Sequence, residues 1–175
     1  MKLERRTLLR VPMQWGGQPA PAAALASLLA QPRPVLQQLL SGEQLEPQEA
    51  GAFLYTPRAL DLPGLRLAPQ VCFEAHWQAP MLQISLLTYH LPGLEGLERK
   101  IGYCFSAELE PQEGALAVRA QATLELATGP GGLGLPRPLL DVLGNTALSL
   151  IFGRLERRCH RNLPGLPGSA LPDFL

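Results

Sequence analysis

The sequence lacks an excess of charge of either sign. Lysine plus arginine and aspartate plus glutamate each number 15, and lysine occurs only at Lys2 and Lys100. With no global positive field to gather phosphate groups, we expect no nucleic-acid partner. Hydrophobic residues make up 46% of the 175-residue chain, too many for a disordered protein, while proline, glycine and glutamine interrupt the apolar runs that a membrane span would need. We expect one soluble globular domain that buries roughly 70% of its unfolded surface.

Paired cysteines and catalytic motifs are also missing. Cys72, Cys104 and Cys159 lie far apart without a C-x-x-C pair, which argues against a zinc site or a disulfide framework and favours a reducing, cytoplasmic location. The three histidines have no metal-ligand spacing, there is no G-x-S-x-G elbow, and the glycine-rich run at residues 129–134 lacks the ending of a phosphate loop. The sequence therefore predicts a protein that is not an enzyme and carries no metal or cofactor.

The amino-terminal third combines a strand with helices. Glu4 and a short apolar stretch argue against a signal peptide, and residues 3–12 follow a strand pattern that ends at Pro12. Residues 21–40 carry leucines at helical spacing, interrupted by Pro32 and Pro34. This predicts two short helices with a kink between them.

From residue 52 to residue 128 the apolar period is two, which predicts five antiparallel strands in a meander. Four rows should face the core: Val71, Phe73, Ala75 and Trp77; Leu82, Ile84, Leu86 and Thr88; Ile101, Tyr103, Phe105, Ala107 and Leu109; Leu116, Val118, Ala120, Ala122, Leu124 and Leu126. Polar residues alternate with the residues of the last row, so the other face of that strand should be exposed to solvent.

A long helix follows Pro136 and Pro138 and ends near Asn162. Its apolar residues cover an arc of roughly 200°, wider than the ~100° stripe of a surface helix, so the sheet must wrap partly around it. We place one domain at residues 1–162 and expect the proline- and glycine-rich tail, residues 163–175, to be poorly ordered.

The predicted order of elements is a strand, two short helices, a run of antiparallel strands and a C-terminal helix. This order resembles that of START-like, or helix-grip, domains. In addition, the segments "LLAQPRPVLQQLL", "LPGLRLAPQVCFEAHW" and "LPRPLLDVLGNTALSLIFGRLERR" resemble the cyanobacterial and plastid domain-of-unknown-function family nineteen-ninety-seven. The similarity covers about residues 25–162. The chain departs from the family's aromatic-rich D-Y-x-x-W ending and has "CHRNLPG" instead. The resemblance implies an α+β helix-grip fold of about six strands and a cyanobacterium-like source.

Gly144 and Asn145 occupy the middle of the long helix, where glycine costs about 1 kcal/mol relative to alanine. Gly144 falls inside the apolar arc and would allow the helix to approach the sheet closely. Asn145 falls on the polar edge of the arc, where its amide would bond either a ligand or a strand carbonyl.

Arg154, Arg158 and Arg161 continue the apolar line of the helix toward its C-terminus. Two interpretations are open. The arginine stems would cover apolar surface while their charges reach water, or the guanidinium groups would form a cationic rim that binds a carboxylate or phosphate.

The main hypothesis is a non-catalytic module that holds a lipid, tetrapyrrole or carotenoid-like ligand between the sheet and the helix. The predicted ligand-binding residues are Phe73, Trp77, Tyr103, Phe105, Leu143, Asn145, Ala147, Arg154 and Arg158.

The alternative is an interaction protein or assembly factor in a photosynthetic cell, with a packed interior and a photosynthesis-related protein partner. It draws on Leu94 and Leu97, which lie in a predicted loop without a core role.

Overall fold

The computed structural model describes residues 1–41 and 43–166, which form a large antiparallel sheet and a long C-terminal helix. The strands are β1 (Lys2–Pro12), β2 (Gln14–Trp15), β3 (Gln18–Pro19), β4 (Gln44–Pro47), β5 (Ala52–Thr56), β6 (Leu60–Leu62), β7 (Leu65–Leu67), β8 (Gln70–Gln78), β9 (Met81–His90), β10 (Ile101–Gln112) and β11 (Ala115–Leu126). The α-helices are α1 (Ala22–Leu29), α2 (Pro32–Leu39), α3 (Glu95–Glu98) and α4 (Arg137–Asn162), and two 3₁₀ turns lie at Glu49–Gly51 and Leu163–Gly165.

The main sheet has seven strands in the order β1-β11-β10-β9-β8-β5-β4. Two small hairpins, β2–β3 and β6–β7, lie outside it. The sequence predicts about six strands, and the additional one is β4. This strand has only four residues and ends in Pro47, and Leu45 is its one half-buried residue. It therefore has no alternation of apolar and polar residues that would reveal a strand in the sequence.

The predicted strand rows are confirmed where the pairing is regular. Val118 of β11 lies opposite Leu9 of β1 on one side and Leu109 of β10 on the other, and all three side chains are buried. Because neighbouring strands keep this register, their apolar rows form one continuous inner face.

One row is wrong at its end because β9 contains a bulge. Cys72 of β8 pairs with Thr88, but the next residue, Phe73, pairs with Leu86, so Leu87 is an extra residue. The bulge reverses which side chains face inward. Thr88 is exposed, although the sequence places it in the core row, and Tyr89 takes the inner position.

Helices α1, α2 and α4 form where the sequence predicts helices, whereas the one-turn helix α3 lies in a predicted loop. Pro32 and Pro34 lie in the first turn of α2, where their missing N–H groups leave no hydrogen bond unmade, and α1 ends before them. α4 spans 26 residues and buries Leu140, Leu148 and Phe152 against the sheet. The sheet curved around α4 is the predicted α+β helix-grip arrangement, and that prediction is confirmed. None of the described helices combines the length and hydropathy required to cross a membrane.

The described fold continues past residue 162, where the sequence analysis ends the domain. Leu163 is fully buried and Leu166 is 3% exposed, and the indole N–H of Trp15 donates to the Leu166 carbonyl at 3.1 Å. Two apolar side chains in a segment rich in proline and glycine therefore act as part of the core. Residues 167–175 of the predicted tail lie outside the described residues.

Candidate functional site

A cavity of about 330 Å³ lies between the inner face of the sheet and α4. Strand β10 supplies every second residue of its wall from Ile101 to Leu109, and α4 supplies Leu140, Leu143 and Ala147. The other walls come from β5, β8, β9, β11, α2, α3 and the β6–β7 hairpin. The wide apolar arc of α4 thus faces a space that its own side chains do not fill.

Most of the predicted site residues line this cavity. Those that line it are Phe73, Tyr103, Phe105, Leu143, Ala147, Arg154 and Arg158. Phe73 packs among aromatic rings, with centroids 5.5 Å from Phe53 and 6.2 Å from Tyr55. Phe105 meets Phe152 of α4 at 6.4 Å, which closes the sheet against the helix.

Trp77 and Asn145 do not line the cavity. Trp77 lies opposite Leu82 near the end of β8, where the sheet is covered by α1 and α2, and it packs against the core as a half-buried side chain. Asn145 is exposed, and its amide donates to the Asp141 carbonyl one turn earlier at 2.9 Å. The predicted ligand-binding residue Asn145 therefore lies outside the cavity wall, because its position on the helix points to solvent.

The charged groups of the wall and the Tyr55 hydroxyl lie near the C-terminal half of α4. Arg158 forms an ion pair with Glu43, and the Tyr55 hydroxyl donates to the same carboxylate. Arg154 donates from Nη1 to the Arg58 carbonyl at 2.6 Å and from Nη2 to the Ala59 carbonyl at 2.7 Å. The third predicted arginine, Arg161, is exposed and does not line the cavity.

Burial shifts the titration of these groups toward their neutral forms. It raises the pKa of Tyr55 to about 12, with the charge of Arg154 partly opposing the shift. It also raises the pKa of Tyr103, and it raises the pKa of the Cys159 thiol to about 12. Burial and the nearby charge of Arg161 lower the pKa of the Arg158 guanidinium.

Several residues of the cavity wall are not predicted from the sequence. Glu43 and Arg58 lie in connections, and Tyr89 reaches the wall only because of the β9 bulge. Leu97 also lines the cavity, so the expectation that it has no core role is wrong. One available signal is the segment LDLPGLRL, in which leucines flank a Pro-Gly turn. It forms the β6–β7 hairpin, and its leucines Leu60, Leu62, Leu65 and Leu67 all face the cavity.

No protein-family model and no curated protein matches the chain. Solved structures do resemble it. A norcoclaurine synthase point mutant from Thalictrum flavum, in complex with a transition-state analogue, has a TM-score of 0.52 and 10% identity over 93% of this chain and 94% of its own. The di-domain ARO/CYC BexL from the BE-7585A biosynthetic pathway has a TM-score of 0.55 and 16% identity over 95% of this chain and 51% of its own.

An uncharacterised protein from Bacillus thuringiensis has a TM-score of 0.51 and 8% identity, with 92% of this chain and 98% of its own covered. At such identities the likeness concerns the fold alone. It agrees with the helix-grip architecture described above. The resemblance to family nineteen-ninety-seven and the cyanobacterial source stay predictions.

Proposed function

We propose that the protein is a non-catalytic binding module that holds an apolar or amphipathic ligand, such as a lipid, a tetrapyrrole or a carotenoid, between the sheet and α4. The supporting observation is the cavity of about 330 Å³ with a wall of leucine, isoleucine and aromatic side chains. This volume falls within the ~300–1,000 Å³ of small-molecule sites. Wall atoms that face empty space lack dispersion partners, which a bound hydrocarbon would restore.

The chemistry of the wall favours binding over catalysis. Among the described residues that line the cavity there is no histidine, serine or aspartate to act as a base or nucleophile. Glu43 is engaged by Arg158 and Tyr55, and the raised pKa values keep Tyr55 and Cys159 protonated near neutral pH. We therefore assign these groups to holding the wall together.

The alternative, an assembly factor for a photosynthesis-related protein with a packed interior, is the weaker proposal. It draws on the photosynthetic source that the resemblance implies and on the loop leucines Leu94 and Leu97, and it expects a packed interior. A cavity lies where it expects a packed interior, and Leu97 lines this cavity, so these two observations count against it, while the source stays a prediction.

The test combines native mass spectrometry with binding of the apolar dye Nile red. We expect the protein to retain an apolar small molecule and to bind the dye. Ala147→Phe should fill the cavity and weaken dye binding, because Ala147 lies in the wall at 8% exposure. His160→Phe places the same ring at an exposed position of the same helix and should leave binding unchanged. A protein that takes up neither lipid nor dye, or two variants that bind alike, would overturn the proposal.

A further inference from the structure

The charged side chains of the cavity wall lie together at one end. They are Glu43, Arg154 and Arg158, and the exposed Arg58 joins them through its main-chain carbonyl. Glu43 and Arg158 are paired, and Arg154 donates to the Arg58 carbonyl, so these contacts place the four residues in one group. Arg154 and Arg158 are also one turn apart on α4. We call this group the arginine end of the cavity.

The arginine end carries more positive than negative charge. The guanidinium groups of Arg154 and Arg158 lie there with one carboxylate, that of Glu43, whereas Arg58 is exposed and contributes its main-chain carbonyl. The carbonyls of Arg58 and Ala59 satisfy hydrogen bonds of Arg154 without cancelling its charge. The side chains of Arg158 and Glu43 are only 16% and 11% exposed, so water and salt screen the local field weakly. An anion entering the cavity is stabilised at this end.

Arg158 also has an unused donor. Its Nη1 atom is buried and has no hydrogen-bond partner among the described residues, while Nη2 contacts Glu43. A guanidinium presents donors in a planar fork that matches a carboxylate, and a buried donor without an acceptor costs free energy. A ligand oxygen would supply the missing acceptor.

We propose that the ligand is an amphipathic carboxylic acid whose head group binds at the arginine end and whose tail lies along Tyr103 and Phe105. This inference rests on the proposed function. Glu43 shows that a carboxylate fits beside Arg158, because its own carboxylate lies there. A carboxylate brings a single charge into an apolar space, whereas a phosphate dianion would lose more hydration.

The experiment compares three probes with the same twelve-carbon tail by isothermal titration calorimetry: dodecanoate, dodecanol and dodecyl phosphate. We expect dodecanoate to bind about ten- to a hundredfold more tightly than dodecanol, the range expected from a charge-assisted hydrogen bond. Arg154→Gln should reduce this preference, because it removes one of the two positive charges of the arginine end and so weakens dodecanoate binding more than dodecanol binding. Arg157→Gln, an exposed arginine of the same helix, is the matched control and should retain the preference.

Arg158→Gln would leave the half-buried Glu43 without its partner and could unfold the protein. A second variant avoids this risk. Glu43→Gln removes the carboxylate that competes for Arg158 while keeping an oxygen for the Tyr55 hydroxyl. It should tighten dodecanoate binding by about tenfold relative to dodecanol binding.

The outcomes separate the two proposals. Binding of dodecanoate and dodecanol with equal affinity, unchanged by Arg154→Gln and Glu43→Gln, overturns the acid-binding inference and leaves the apolar module standing. Dodecyl phosphate binding more tightly than dodecanoate overturns the assignment of a carboxylate. Failure of all three probes counts against the proposed function itself.

Discussion

Gly144 of α4 packs directly against Leu3 of β1. A β-carbon built on Gly144 would overlap the Leu3 Cδ1 atom and lie 3.4 Å from Leu124 Cδ2. The glycine therefore fixes how closely the helix approaches the sheet, as the sequence predicts from its position in the apolar arc.

Replacement of Gly144 by leucine should lower the free energy of unfolding by about 1 to 3 kcal/mol, because the larger side chain forces α4 away from β1 and β11. Gly153→Leu is the matched control, since a β-carbon there meets only Arg157 Nη1 at 3.5 Å. It should be neutral or raise stability by up to about 1 kcal/mol through helix propensity. Chemical denaturation of both variants measures the difference, and equal destabilisation would contradict the packing.

Leu163→Ala should destabilise the protein by about 2 to 5 kcal/mol, because Leu163 is fully buried and its truncation leaves a cavity. The same change at Leu139, which is 42% exposed, should have an effect within about 0.5 kcal/mol. Thermal melts compare the two. If Leu163→Ala melts with the parent, the core ends at residue 162 after all.

The raised pKa values of the tyrosines predict how the free energy of unfolding depends on pH. Burial raises the pKa of Tyr55 from 10.0 to about 12, and it raises the pKa of Tyr89 and Tyr103. The unfolded chain then releases these protons at lower pH than the native protein does. The contribution of the protonated Tyr55 to the free energy of unfolding is therefore present below about pH 10 and is lost as the pH rises toward 12.

Phenolate absorbance checks this prediction. The native protein should ionise its tyrosines well above the pH at which the guanidinium-unfolded chain does, and Tyr55→Phe should remove part of the delayed signal. A native titration that coincides with the unfolded one would contradict the burial of these hydroxyl groups.

Thiol labelling should distinguish two cysteines. Cys104 is exposed, whereas Cys159 is buried and its thiol pKa is raised to about 12. Iodoacetamide requires a thiolate, so it should modify Cys104 readily and Cys159 only after unfolding. Peptide mass spectrometry reads both sites, with Cys104→Ser as the control. Early labelling of Cys159 in the folded protein would place it at the surface.

Periodicity predicts most of the inner face of the sheet, because strand pairing preserves the order of side chains along the chain. It fails at Thr88 and Tyr89, where one extra residue reverses inside and outside. A bulge depends on the partner strand, so it leaves no signal in β9 alone.

The candidate site is predictable in its apolar part and less so in its charged part. A helical wheel places Arg154, Arg158 and Arg161 on one face, but it does not show where the cavity ends along the axis. Arg161 lies about 10 Å beyond Arg154, past the wall. The partner of Arg158 is Glu43, more than a hundred residues away, and such a long-range contact cannot be read from local spacing.

Among residues 1–41 and 43–166, the order of the sheet leaves the eleven-residue strand β1 at an edge, where alternate residues present backbone groups that could pair with a strand of another molecule. Natural edge strands resist such pairing with charged and inward-pointing side chains. Arg5 points inward and donates to Ser149 Oγ at 2.6 Å, while Arg6 and Arg10 flank the exposed Leu8. Charged side chains in these positions disfavour the pairing of β1 with a strand of another molecule.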